Sequence, residues 1–156
     1  MGLRFGRRIL PCTIGRGGVR AEKREGDGAT PAGRHRIVEM LHRPDRMRAP
    51  AAWSRPIGLR DLWCDDPGDA RYNRPVCLPF ARSAERMRRA DPLYDLVLVV
   101  DWNRDPAVPG LGSAIFLHRW RRPGAPTEGC IALAPRDLLW LACHVRPGTP
   151  LFVPSR

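Results

Sequence analysis

A mostly β fold, a sandwich or partly closed barrel with one or two short helices, is the architecture this sequence predicts. Three observations carry it. The apolar runs are short and rich in β-branched residues, as in Leu96-Val97-Leu98-Val99-Val100. Turn formers punctuate them, with 15 glycines and 17 prolines in the chain. Only one late segment, Pro135 to Cys143, holds apolar residues through successive helical turns. The chain has 156 residues, the size of one folding unit, so one domain is expected over 1–156.

In chain order, Arg8–Ile14 and Val19–Lys23 read as strands on either side of Gly15-Arg16-Gly17-Gly18, a connection suited to a hairpin. Glu25 to Gly33 is dense in turn formers and leads into a weakly alternating strand over 34–40. Residues 43–82 are proline-rich and read as a long irregular excursion, with at most short strands near Ile57 and Val76. Ser83 is a fair N-cap for a short helix over 83–90. Leu93–Val100 and Ser113–His118 read as central buried strands. Pro135 opens the late helix, and Thr149–Val153 closes the chain as a strand.

The formal charge is +11, almost all from arginine, since Lys23 is the only lysine. The arginines are scattered, and no basic run interleaves with aromatics as a base-stacking surface would. This distribution favours GC-rich codon usage over a dedicated nucleic-acid site, so no nucleic-acid partner is expected. The longest apolar run, Leu138 to Cys143, is far short of a transmembrane helix. Ile9 to Gly15 is too short, and interrupted by Pro11, to act as the apolar region of an export signal, so no targeting segment is expected in the sequence as given. The five cysteines form no CxxC pair and no zinc spacing with the four histidines, and no metal is expected. Their odd number leaves the redox compartment and the disulfide state open.

Chemistry centres on Cys130, which follows Gly129 after a Pro/Gly loop. A lone cysteine is more often a small core hydrophobe than a nucleophile. Glycine before it, however, lets the backbone bend and turn N–H groups toward a substrate oxygen. His118 ends a strand twelve residues earlier, and the intervening loop contains Pro123, Gly124 and Pro126, so the two strand ends can be brought together. A thiol beside an imidazole is the minimum for thiolate chemistry, and it needs no cofactor. Spacing alone leaves the catalytic and the structural reading open. His35, His42 and His144 are weaker candidates, Cys12 and Cys143 read as core, and Cys64 adjoins two acids that disfavour a thiolate.

The segment from Gly112 to His118, then Pro126-Thr127-Glu128-Gly129-Cys130-Ile131, resembles the signature of the YkuD-type L,D-transpeptidases. Upstream, Lys23 to Gly33 is similar to a segment these domains carry, and Tyr72-Asn73 is compatible with them, so the likeness runs from Lys23 to about Leu138. The resemblance implies a β-sandwich-like catalytic domain acting on peptidoglycan stem peptides in the periplasm or cell envelope. Cys130 would attack the diaminopimelate carbonyl of a tetrapeptide, release D-alanine and hold a thioester, with His118 moving protons. The N–H groups of Gly129 and Cys130 would hold the oxyanion, and the Arg119 carbonyl would orient the imidazole. Arg119, Glu128, Tyr72 and Asn73 are the implied substrate-side residues. An amine would resolve the thioester; water would make the protein a carboxypeptidase or endopeptidase instead. Glu128 stands where the family commonly has histidine, and Ala132 where it often has arginine, which leaves substrate preference open. A non-catalytic, arginine-rich module binding the cell wall or another polyanion is the reading from a different class.

Overall fold

The structure, a computed structural model, describes residues 1–155. Its strands in chain order are β1 (Gly2–Phe5), β2 (Arg8–Thr13), β3 (Val19–Arg20), β4 (Thr30–Pro31), β5 (Gly33–His42), β6 (Ser54–Pro56), β7 (Asp61–Cys64), β8 (Pro75–Cys77), β9 (Ala84–Arg86), β10 (Leu96–Val100), β11 (Phe116–Arg119) and β12 (Ile131–Leu133). The helix α1 (Pro135–His144) and the strand β13 (Thr149–Val153) follow. An eight-stranded sheet runs β1-β2-β12-β11-β10-β5-β13, with β6 attached to β5. A smaller sheet, β8-β7-β9, stands apart from it. The mostly β expectation holds, and the main sheet is not closed into a barrel. Its edge strands β1 and β13 instead flank one apolar cleft without pairing.

Alternation along the central strands divides the core in two. Leu96, Leu98 and Val100 of β10 join Leu117 of β11 and Leu133 of β12 on one face. There α1 covers them with Leu138, Leu141 and Ala142, an i, i+3, i+4 stripe. Pro at the first helical turn and Asp137 near the positive end of the helix dipole favour the start of α1. Val97, Val99 and Phe116 point to the opposite face and pack with Trp63 of the small sheet, Met87 and Tyr94. Trp63 meets Phe116 edge-on with ring centroids 5.0 Å apart, so the small sheet is fastened over the second face by an aromatic contact.

The strand over 34–40 is longer than expected, extending to His42, and β1 had no clear sequence signal. The buried strand expected over 113–118 begins only at Phe116, because Ala114 adopts a left-handed φ of 52° that breaks the ladder. Two expectations fail outright. The glycine turn exists, with Gly18 N–H donating to the Gly15 carbonyl at 2.9 Å, yet no hairpin forms. β2 pairs with β1 and β12, while β3 runs parallel to β4. The glycines serve close backbone packing instead: a Cβ on Gly15 would lie 2.2 Å from the Gly28 carbonyl oxygen, and one on Gly17 2.5 Å from that of Asp27. The helix expected over 83–90 is the strand β9, hydrogen-bonded to β7, followed by Met87, which is buried in the second core. Tertiary pairing and the burial of Met87 override a weak local preference. Cys143, expected in the core, is exposed.

Candidate active site

β11 and β12 run parallel, with His118 opposite Ala132. Side chains alternate along a strand, so Phe116 and His118 share one face of β11, and Cys130 and Ala132 share that same face across the pair. Period-two alternation thus brings the imidazole and the thiol to one surface, although they lie twelve positions apart in the chain. Both border a cavity of about 610 Å³ on the face of the main sheet that the small sheet overhangs.

The thiol is held by backbone. Cys130 Sγ donates to the Ala114 carbonyl at 3.2 Å and accepts from the Phe116 N–H at 3.4 Å. The left-handed Ala114 is what turns that carbonyl toward sulfur, and its own N–H donates to Asn73 Oδ1 at 3.0 Å. Burial pushes the Cys130 thiol up to about 12, with the Glu85 carboxylate adding to the rise and the Phe116 N–H opposing it. His118 Nδ1 lies 2.7 Å from the Arg119 carbonyl oxygen, which can only accept, so Nδ1 carries the proton and Nε2 keeps its lone pair. Burial lowers the His118 pKa, with the Arg119 carbonyl working against that shift. The pair therefore rests as neutral thiol and neutral imidazole, not as the ion pair that a lowered thiol pKa would require.

Tyr94 closes one side. Its ring meets His118 edge-on at 5.4 Å, and its hydroxyl donates to Glu85 Oε1 at 2.7 Å. Glu85, its own carboxyl raised chiefly by burial, lies 3.8 Å from Arg89. Glu25, Asp65 and Glu85 give the cavity acidic groups, and Arg89, Arg121 and Arg122 give it basic ones. Neither Tyr94 nor Glu85 stood out in the sequence, since each is brought in by a distant element with no motif around it.

The implied substrate-side residues separate into those on the cavity and those behind it. Glu128 borders it, largely exposed and paired with Arg16 at 2.7 Å, so its charge points outward. The Arg119 side chain does not border it, and the residue meets His118 through its carbonyl. Tyr72 and Asn73, each 2% exposed, do not border it either. Asn73 Oδ1 accepts from Trp63 Nε1 and the Ala114 N–H, while its Nδ2 donates to the carbonyls of Trp102 and Asn103. The Tyr72 hydroxyl donates to Glu25 and accepts from the Gly112 N–H. Both hold the wall of the site from outside it, and burial leaves neither a free polar group for a substrate.

Gly129 has a φ of 138°, and a Cβ there would sit 2.9 Å from the Ala29 carbonyl oxygen, so this position calls for glycine. Its N–H donates to Thr127 Oγ1 at 3.2 Å, and the Thr127 hydroxyl in turn donates to the Cys130 carbonyl at 2.6 Å. Of the two N–H groups expected to hold an oxyanion, that of Gly129 is thus already engaged. No acceptor takes the Cys130 N–H among the described residues. Cys64 is buried, its thiol pKa raised by burial with the neighbouring aspartates adding, and it does not border the cavity. His35, His42 and His144 bond to the Pro31 carbonyl, Ser54 and the Trp140 carbonyl, away from the cavity.

A cysteine just before β12 and a histidine on the adjacent strand β11, its Nδ1 held by a carbonyl, thus face one polar cavity of a mostly β domain. The model of the L,D-transpeptidase catalytic domain family, YkuD, matches residues 5–153, and the chain belongs to that family. The family acts on peptidoglycan. Neither a curated protein nor a solved structure matches the chain significantly.

Proposed function

We propose that the protein is a cysteine acyltransferase of peptidoglycan stem peptides working in the cell envelope. The observation that carries this reading is the shared face of β11 and β12, on which His118 and Cys130 open to one cavity with Nδ1 of the imidazole held by Arg119. His118 Nε2 takes the proton as Cys130 Sγ bonds to the diaminopimelate carbonyl carbon, and the carbonyl π pair moves to oxygen. Collapse of that oxyanion breaks the amide bond. His118 returns the proton to the leaving nitrogen, so D-alanine departs as an amine and the stem peptide remains as a thioester. An acceptor amine reverses the sequence: it loses a proton to His118, bonds to the carbonyl carbon, and sulfur leaves with a proton.

The side chain of diaminopimelate carries both an ammonium and a carboxylate, and a cavity with acids and arginines in its wall suits such a zwitterion. A neutral resting pair favours general-base activation at the moment of attack over a standing thiolate. Water in place of the amine gives the carboxypeptidase or endopeptidase variant at the same residues. Purified protein incubated with a diaminopimelate tetrapeptide muropeptide and an added D-amino acid should yield cross-linked or exchanged products that Cys130→Ala does not form. Tripeptide as the sole product would assign the hydrolase, and binding without turnover would assign the binding module.

A further inference from the structure

We propose that Thr30 is a positioning residue that aims the Cys130 N–H at the oxyanion beside the thiol. Thr30, on β4, is 1% exposed and does not border the cavity. Its hydroxyl accepts from the Gly15 N–H at 2.9 Å and donates to the Gly129 carbonyl oxygen at 2.8 Å, a contact that joins residues 99 positions apart. The Gly129–Cys130 peptide is trans, so its C=O and N–H point in opposite directions from one rigid plane. Fixing the oxygen toward Thr30 therefore fixes the N–H away from it, toward the side on which Cys130 borders the cavity.

Thr127 holds the groups on either side of this peptide, and the Thr30 hydroxyl is what holds its carbonyl oxygen itself. Gly129 has a positive φ available to few other residues, and its own N–H is held by Thr127 rather than free for substrate. The Thr30 hydroxyl is held in turn by Gly15, whose Cα is so close to the loop that an added Cβ would lie 3.0 Å from Gly129 Cα. The glycine turn 15–18, strand β4 and the loop before β12 thus form one braced unit, joined by backbone bonds of Arg16 and Thr127 and, at the Gly129 carbonyl, by the Thr30 hydroxyl. A correctly aimed donor acts only when negative charge develops on the substrate oxygen.

This inference rests on the acyl-transfer reading, and the test separates the two. Two reactions of Cys130 are compared by peptide mapping in mass spectrometry: thioester formation with p-nitrophenyl acetate, which passes through an oxyanion, and alkylation by iodoacetamide, which does not. Thr30→Val removes the hydroxyl at nearly constant volume. Its acylation rate should fall by about tenfold or more while alkylation stays close to wild type. Thr30→Ser keeps the hydroxyl and should restore acylation, which decides the matter even if the valine variant folds poorly. Equal losses in both reactions, no loss in either, or a serine variant as slow in acylation as valine would overturn the role of Thr30. Wild-type protein that is alkylated at Cys130 but never acylated would overturn the acyl-transfer reading itself, and this inference with it.

Discussion

At Cys130 the surroundings favour the protonated thiol. Burial and the facing Glu85 carboxylate hold the thiol up to about 12, so alkylation of Cys130 at neutral pH should be slower than that of the exposed Cys77 and Cys143. Glu85→Gln removes the facing charge and should speed alkylation of Cys130 specifically; an unchanged rate would mean that burial alone sets the thiol. His118, its pKa lowered mainly by burial, stays neutral at neutral pH and is available as a base. The acidic limb of kcat/KM should accordingly fall below the ordinary histidine value of 6.5, because activity is lost only when Nε2 is protonated. His118→Asn should lower acyl transfer by about a hundredfold or more and abolish that limb. Of these residues, Cys130, His118 and the Arg119 carbonyl were legible in the motif. Tyr94 and Glu85 were not, because nothing local in the sequence shows that β9 and the segment before β10 fold over the histidine.

The loop between β3 and β4 depends on one buried ion pair. Lys23 Nζ donates to Asp27 Oδ1 at 2.7 Å, with side chains 3% and 13% exposed. Burial acts to raise the Asp27 carboxyl, but the hydrogen bonds from Lys23 and from the Arg24 and Ala29 N–H groups outweigh it and the net shift is downward. A depressed carboxyl stabilises the fold above its unfolded pKa, near 3.8, and that stability is lost as pH falls through the lower folded value. Asp27→Asn leaves the Lys23 ammonium buried without its partner and should cost roughly 3–5 kcal/mol in denaturant unfolding at neutral pH. The strands β10 and β13 and the helix α1 were readable, since each carries apolar residues in a pattern suited to its element. The pairing of β3 with β4 was not, because a Gly-rich turn looks the same in sequence whether it reverses a hairpin or lets two backbones touch. Likewise β9 has three residues whose strand character comes entirely from β7, so Ser83 misleads as a cap.

Across the whole molecule, β10 separates a face covered by α1 from a face roofed by the small sheet, where the cavity lies. Phe116 belongs to the second face and is fully buried between Trp63 and Tyr94. Phe116→Ala should cost about 3–5 kcal/mol and loosen the roof, so its loss of activity should track its loss of stability. Arg43, Arg46, Arg71 and Arg89 each pair with an aspartate, so part of the arginine charge is met locally and the +11 is the excess that remains. Pairing of this kind is what scattered arginines permit, and it agrees with the absence of a basic stripe in the sequence. Any chemistry is expected on the second face, at Cys130 in the cavity. The measurement that addresses this most directly is mass spectrometry of the protein mixed with a diaminopimelate tetrapeptide muropeptide, mapping any adduct to its residue. The account predicts a tripeptide stem joined as a thioester to Cys130 with release of D-alanine, absent in Cys130→Ala and strongly slowed in His118→Asn. An adduct on another cysteine, or D-alanine release that survives Cys130→Ala, would contradict it.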